Sequence, residues 1–443
     1  MKNIKLIFSI FFALALFTSC EDQLNVTNPA ALSAENFIFD GDSAEQALLD
    51  AYNDMQSRYV MASEPKMIQG LYSDELKHPG SFPHLNQALI NNFLTDNFGL
   101  TNIFSNHYDI INTATEAIRG TEALDESQID PERQAQLLAE AHALRAFAYF
   151  QLVKTFGGLP ITERTVPFDG PEANDEPRQS QEAVYDYILS EIALAEGNID
   201  PSNPISRFTN DAVRVLKASV FLFRGNYPGV ENTLQPLIGD YSLVESYGDL
   251  WNNDLENSEA IFRVNYTSSD AGDLQTFFTP QGRREVAPTE SLVNAFESGD
   301  ERLNQIVNPN DPNTVYVGKY MNNQFKPYVY RYADVLLMYA EALARRNAPN
   351  ASDFINEVRN RAGLGDINLT SGNVVPAISQ ERRIEFFAEG KRWEDVKRLG
   401  LAEQVISSKQ GITFNSRQVL WPIPQDELDR NGAMSQADQN PGY

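Results

Sequence analysis

Tyr332-Ala333-Asp334-Val335-Leu336-Leu337-Met338-Tyr339-Ala340-Glu341-Ala342 repeats apolar side chains at three- and four-residue spacing, the pattern of an α-helix. Ala340 is small enough to let a second helix lie close against it. A similar arrangement runs Ala212-x3-Leu216-x-Ala218-x3-Leu222, then Gly225-Asn226-Tyr227 and Val230. There Ala218 allows the close approach, and Leu222 and Tyr227 fill the gap beside it. Two such helical hairpins in one chain point to a fold built from paired helices.

Working outward, the same periodicity runs through Ala44, Ala47, Leu48, Ala51, Tyr52 and Met55 behind a cap at Asp42 or Ser43. It returns over 132–155, where Gly157-Gly158 and Pro160 stop it, and over 181–195, 211–224, 332–346, 351–362 and 380–399. The hairpins read as degenerate tetratricopeptide units interrupted by long loops. Between 241 and 327, Asn, Asp, Gly, Pro and Ser are frequent, and only 260–266 reads as a strand. A second irregular stretch covers 70–95. The expected fold is mainly α: a tetratricopeptide-like helical-pair scaffold over about 40–70, 96–240 and 328–443, with an irregular, loop-rich subregion containing a few short strands. On such a scaffold, binding residues are expected on the loops, about 70–95 and 241–327.

The N-terminus reads as a targeting segment. Lys2 and Lys5 precede an apolar run from Leu6 to Phe17, Thr18 and Ser19 are small, and Cys20 follows as the only cysteine. A dozen apolar residues are too few to span a bilayer. Residues 1–19 resemble a bacterial lipoprotein signal, which implies acylation of Cys20 as the first residue of the mature chain. An ordinary signal peptide with an incidental cysteine is the alternative. The leader holds two of the 35 basic residues and none of the 61 acidic ones, so the rest carries 33 positive against 61 negative charges, a net of −28. That surface repels nucleic acid and anionic headgroups, so attachment to a membrane falls to acyl chains.

Nothing points to catalysis or to a metal or other cofactor. His78, His84, His107 and His142 include no pair at metal-ligand spacing, and HExxH and GxSxG are missing. Glu385, Glu389 and Arg392 would share one face of a helix over 380–399. Acid–base chemistry and a partly buried ion-pair network beside Trp393 both fit that spacing, and the network is the expected role.

Six ordered motifs carry a family resemblance: Arg145-Ala146-Phe147-x-Tyr149-Phe150 through Thr155-Phe156-Gly157-Gly158-Leu159-Pro160; Arg331 through Ala342; Ile355-Asn356-Glu357-Val358-Arg359-Asn360-Arg361-Ala362-Gly363-Leu364; Glu381-Arg382-Arg383-Ile384-Glu385-Phe386 with Glu389-Gly390-Lys391-Arg392-Trp393; Leu420-Trp421-Pro422-Ile423-Pro424; and the terminal Gln439-Asn440-Pro441-Gly442-Tyr443. In this order the chain resembles the SusD/RagB family of outer-membrane nutrient-binding lipoproteins, with 20–443 as one SusD-like domain. The resemblance implies a lipid-anchored protein facing the cell exterior. It would capture an oligosaccharide or polysaccharide and deliver it to a SusC-like TonB-dependent transporter, acting as its lid. Peptide capture, as in RagB-like relatives, and glycan hydrolysis are the alternatives. The last two motifs imply a C-terminal tail docked on the scaffold, although Ala437-Asp438 interrupt its approach.

The ligand face of the family is built from loops, which here are 71–86 and 272–285. Sugars offer C–H faces that pack on aromatic rings and hydroxyls that need planar polar partners. Tyr72, Phe82, Phe277 and Phe278 are the candidate platforms, and Asp74, His84, Asn86, Arg283 and Arg284 the candidate polar partners. The same rings could instead anchor the loops to the core, in which case the site moves toward 316–330. Lys77, His84, Arg283 and Arg284, gathered in so acidic a protein, hint at an acidic or sulfated sugar.

Overall fold

The computed structural model describes residues 37–162, 176–251, 256–266 and 271–443. The leader and Cys20 lie outside the described residues. Among the described residues, sixteen α-helices and six short strands make the fold mainly helical, as expected. In chain order the helices of the first half are α1 Gly41–Asp54, α2 Ser63–Tyr72, α3 Pro83–Leu89, α4 Phe98–Glu122, α5 Pro131–Phe156, α6 Gln181–Ala195, α7 Asn210–Phe223 and α8 Tyr227–Leu234. In the second half come α9 Leu274–Phe278, α10 Glu290–Val293, α11 Tyr332–Arg345, α12 Ala351–Arg361, α13 Val374–Glu385, α14 Arg392–Arg398, α15 Ala402–Ser407 and α16 Gln425–Arg430.

The helices pack in pairs: α4 on α5, α5 on α6, α7 on α8 and α11 on α12, with α8 also against α11. Ala218 and Ala340 are fully buried at these contacts. Asp130 caps α5 by accepting from the Glu132 and Arg133 amides, Pro131 opens it, and Gly157 ends it at a φ of 80°. At the start of α1 the capping residue is Asp40 rather than Asp42 or Ser43: its carboxylate accepts from the Ser43 amide at 2.9 Å, and the Ser43 hydroxyl accepts from the Asp40 amide at 3.0 Å. The strands form three antiparallel two-stranded sheets: β1 Leu76–Lys77 with β3 Ala287–Pro288, β2 Ala260–Arg263 with β6 Tyr328–Arg331, and β4 Ile306–Val307 with β5 Tyr316–Val317.

Two expectations need correction. The stretch 70–95 is partly helical, because α2 runs to Tyr72 and α3 lies inside it. The single helix expected over 380–399 is broken into α13 and α14, with Ala388 and Gly390 between them at φ of 61° and 83°. A Cβ on Gly390 would sit 3.1 Å from Lys66 Cγ, so the close approach of this turn to α2 adds a second reason for glycine. Glu385, Glu389 and Arg392 therefore do not share a helix face. Glu385 accepts from Arg302 at 3.0 Å, Arg331 at 2.6 Å and Arg361 at 2.5 Å, while Glu389 accepts from Arg331 and Lys319, each at 2.9 Å. Arg392 turns instead to Asp74, 2.8 Å away.

Trp393 is fully buried beside this network, its ring edge-on to Tyr72 at 4.7 Å. Tyr72 also stacks on Phe93 at 4.9 Å and meets Trp421 at 6.1 Å, so the Trp-Pro-Ile-Pro segment closes one ring cluster. The C-terminal tail docks there: the Asn440 amide donates to the Phe156 and Trp421 carbonyls at 2.8 and 2.6 Å, and Gln439 exchanges two 2.8 Å hydrogen bonds with the Ile423 backbone. Ala437 and Asp438 do not disturb this docking; they close a capped turn begun by Ser435.

Burial alone would raise the Glu385 carboxyl, but Arg361, Arg331 and Arg302 outweigh it and hold it well below the usual range. Asp334 behaves likewise, with Lys391 and Arg382 overcoming burial. Both groups are depressed relative to the unfolded chain, so their stabilisation is fully present above about pH 4.5 and drains away as the pH falls further. The difference in melting temperature between wild type and Glu385→Ala should be level down to that point and then shrink as the pH falls; a difference unchanged to pH 3 would contradict it. Glu385→Ala should lower the urea midpoint by the equivalent of about 3–5 kcal/mol, because it strands three buried guanidinium partners. An unchanged midpoint would mean that the network carries no stability.

Candidate functional site

Two loops distant in sequence meet on one face. β1 and β3 pair Leu76 with Pro288, and the Thr289 amide and hydroxyl donate to the carbonyls of Glu75 and Asp74 at 2.9 and 2.8 Å. Glu285, almost fully buried, accepts from the Ser81 amide and from Arg283 Nε, each at 3.0 Å. A Cβ on Gly80 would fall 1.7 Å from Glu285 Oε2, so only glycine lets the 78–82 turn lie on this carboxylate.

A chain of rings follows from this docking. Phe277 lies 6.1 Å from Phe82, Phe82 is 5.5 Å from His84, His84 is 5.7 Å from Phe98, and Phe98 is 6.1 Å from Tyr59. Phe98 is the first residue of α4 and is 57% exposed. Its position is fixed by Asn97, whose side chain accepts from the Leu100 amide at 3.1 Å and donates to the His84 carbonyl at 3.2 Å. A Cβ on Gly99 would come within 2.8 Å of Ile68 and 2.9 Å of Glu64, so the start of α4 is pressed onto α2. Asn102 and Asn106 follow Phe98 at four-residue intervals on α4, partly exposed, and Asn86 is exposed on α3. Half-buried Tyr59 and Phe82 flank the protruding ring.

The cations of the ridge are paired. Arg58 reaches the buried Glu64 at 3.0 Å and Asp273 at 3.6 Å, and its guanidinium lies 4.5 Å over Phe277 and 5.2 Å over Tyr59. Asp273 also accepts from the Ser63 amide and hydroxyl at 3.1 and 2.7 Å; burial pushes its carboxyl above the usual range, with Ser63 and Arg58 opposing. His84 Nε2 is 2.7 Å from Glu64, and Arg283 lies 4.3 Å over Phe82.

Of the residues expected here, Phe82, His84 and Arg283 meet at the ridge, Phe277 backs it while nearly buried, and Asn86 is exposed two residues after His84 on α3. Four are placed elsewhere. Tyr72 is fully enclosed and spends its hydroxyl on the Gln418 carbonyl at 3.0 Å, so it offers no face for stacking. Asp74 is held by Arg392 and by Arg383, the latter at 3.3 Å. Phe278 is fully buried against Tyr320. Arg284 points away to the Val315 carbonyl at 3.4 Å. In the alternative stretch 316–330, Tyr320, Tyr328 and Tyr330 are buried. Arg58 and Tyr59, in the turn between α1 and α2, and Phe98, at the start of α4, were not among the expected site residues because they fall outside the loops 70–95 and 241–327. A phenylalanine directly after a capping Asn97, with asparagines four and eight positions on, was the available signal.

The matched proteins agree with this architecture. Residues 302–443 match the family model described as the SusD family, and residues 40–222 match that described as starch-binding associating with outer membrane. SusD-like protein P38 of Formosa agariphila is 27% identical over 95% of this chain and 96% of its own length. A SusD superfamily protein from Bacteroides vulgatus superposes with a TM-score of 0.79 at 21% identity, covering 92% of this chain and all of its own. A laminarin-binding SusD-like protein gives a TM-score of 0.77 at 23% identity, covering 91% of this chain and 100% of its own. With both ends of the scaffold matched by family models and the whole fold shared, the chain is a member of the SusD-like family.

Proposed function

We propose that this protein binds a glycan along the ridge from Tyr59 through Phe98 to Phe82, and acts by binding alone. The observation that carries this reading is Phe98, a large ring left exposed at a rigid helix start with amide side chains beside it. A pyranose lays its C–H face on such a ring, while Asn86, Asn102 and Asn106 suit its hydroxyls. Family membership and the laminarin-binding neighbour support the ligand class. Delivery to a SusC-like TonB-dependent transporter under a hinged lid follows as part of the proposal, driven by contacts that differ between open and closed states. So does outer-membrane attachment through lipid on Cys20, with the protein facing outward.

Phe98→Ala should weaken glycan affinity roughly ten- to hundredfold, the worth of one stacked ring, and leave the melting temperature unchanged. Tyr72→Ala should do the reverse, costing about 3–5 kcal/mol of stability as a buried aromatic is lost. Equal affinity for wild type and Phe98→Ala, measured by calorimetry with a bound polysaccharide, would remove the ridge as the site. Cys20→Ala should give folded protein that leaves the membrane fraction of cells lacking the partner barrel; retention there would rule out the lipid anchor. Co-purification of a TonB-dependent barrel in mild detergent tests the delivery step, and its repeated absence would sink it.

A further inference from the structure

Resting on the glycan-binding reading, we infer that the ligand of this ridge is an uncharged glycan, because the described cations of the platform are already committed to buried carboxylates or backbone carbonyls. The basic side chains in the two loops hinted at an acidic or sulfated sugar. Their geometry argues the opposite. Arg58 bridges Glu64 and Asp273 at 3.0 and 3.6 Å, and Glu64 is 0% exposed. Drawing that guanidinium toward a sulfate would take it from the enclosed Glu64 carboxylate and the partly exposed Asp273, and stranding the enclosed acid is a costly way to break an ion pair. His84 is spent on the same Glu64. Arg283 is the more open of the two arginines, yet its partner Glu285 is only 3% exposed and faces the same penalty. Lys77 and Arg284 donate to the Pro312 and Val315 carbonyls at 2.7 and 3.4 Å.

The pairing reinforces this. Arg58 and Arg283, the guanidiniums beside the rings, face three carboxylates, Glu64, Asp273 and Glu285, while Lys77 and Arg284 keep their charge but lie against backbone carbonyls. The whole chain from Cys20 onward is strongly acidic, which repels a polyanion before any contact forms. Apart from these paired guanidiniums, what the ridge opens to a ligand is uncharged: the Phe98 ring, half-exposed Tyr59, and partly exposed asparagine amides. The guanidiniums serve as rigid, ring-stacked walls.

Matched pairs test this best. Affinity electrophoresis and calorimetry would compare laminarin with its chemically sulfated form, and agarose with carrageenan, adding alginate as a uronate, at low and high salt. The expected result is binding to at least one uncharged polymer, indifferent to salt, and none to its sulfated counterpart. Salt-sensitive binding to carrageenan, sulfated laminarin or alginate would overturn the charge assignment while leaving glycan binding intact. Failure on a broad panel of both kinds would overturn the glycan reading itself. Glu285→Gln keeps the side-chain shape but frees Arg283, and should shift preference toward the sulfated member by roughly tenfold. If that preference does not move, the Arg283–Glu285 pair does not set the charge class.

Discussion

Glu385 is the point on which the structure turns. Its carboxylate is fully buried and collects Arg302 from the loop-rich half, Arg331 from the junction of β6 and α11, and Arg361 from the end of α12. One acid joins three separate parts of the chain. A buried charge of this kind is tolerable only when its partners are all present, so these elements must assemble together. The helix break after Glu385 belongs to the same solution. Ending α13 there frees the carbonyls of 385–388, and Tyr247, Lys319 and Tyr320 come in to satisfy them: Tyr247 at Glu385, Lys319 at Phe387 and Tyr320 at Ala388, with distances of 2.5 to 2.8 Å. A continuous helix would have kept those carbonyls to itself and left the loop-rich half without its anchorage.

This explains which features could be read from sequence. Periodicity exposed the paired helices because α5, α7 and α11 each bury a face against a neighbour, and the pattern records that burial. The break at 386–391 left little trace, since the residue that turns left-handed first is Ala388, at a φ of 61°. Tertiary hydrogen bonds impose that conformation and local preference does not announce it. Asp40 was missed as a cap for a simpler reason: Asp42 and Ser43 are equally good capping types within the same turn, and only the backbone geometry chooses among them.

The site divides along the same line. Residue type identified the two loops that meet, and Phe82, His84 and Arg283 do gather there. It could not separate Tyr72 and Asp74 from their neighbours, because a ring and a carboxylate look alike in sequence whether they face a ligand or a core. Tyr72 ends α2 pointing into the Phe93, Trp393 and Trp421 cluster, and Asp74 turns to two arginines over three hundred positions away. Phe98 inverts the error. It sits on a helix of the scaffold, where an aromatic is usually core, and its exposure depends on Asn97 and Gly99 fixing the first turn of α4 against α2.

The ridge and the buried network thus rest on different carboxylates. Glu385, Glu381 and Glu259 hold the scaffold to the loop-rich half, whereas Glu64, Asp273 and Glu285 hold the walls of the ridge. Side chains that only project from the ridge, such as Phe98 and Asn102, contribute nothing to the first group. Their exchange alters what the surface offers a ligand without unpairing a buried charge. Exchange of Arg58 or Arg283 is of another kind, since each removes the counter-charge of an enclosed acid. On the proposed reading, specificity among uncharged ligands would be free to vary at the projecting residues, while the charge of the ligand would be constrained by the ion pairs that hold the walls of the ridge.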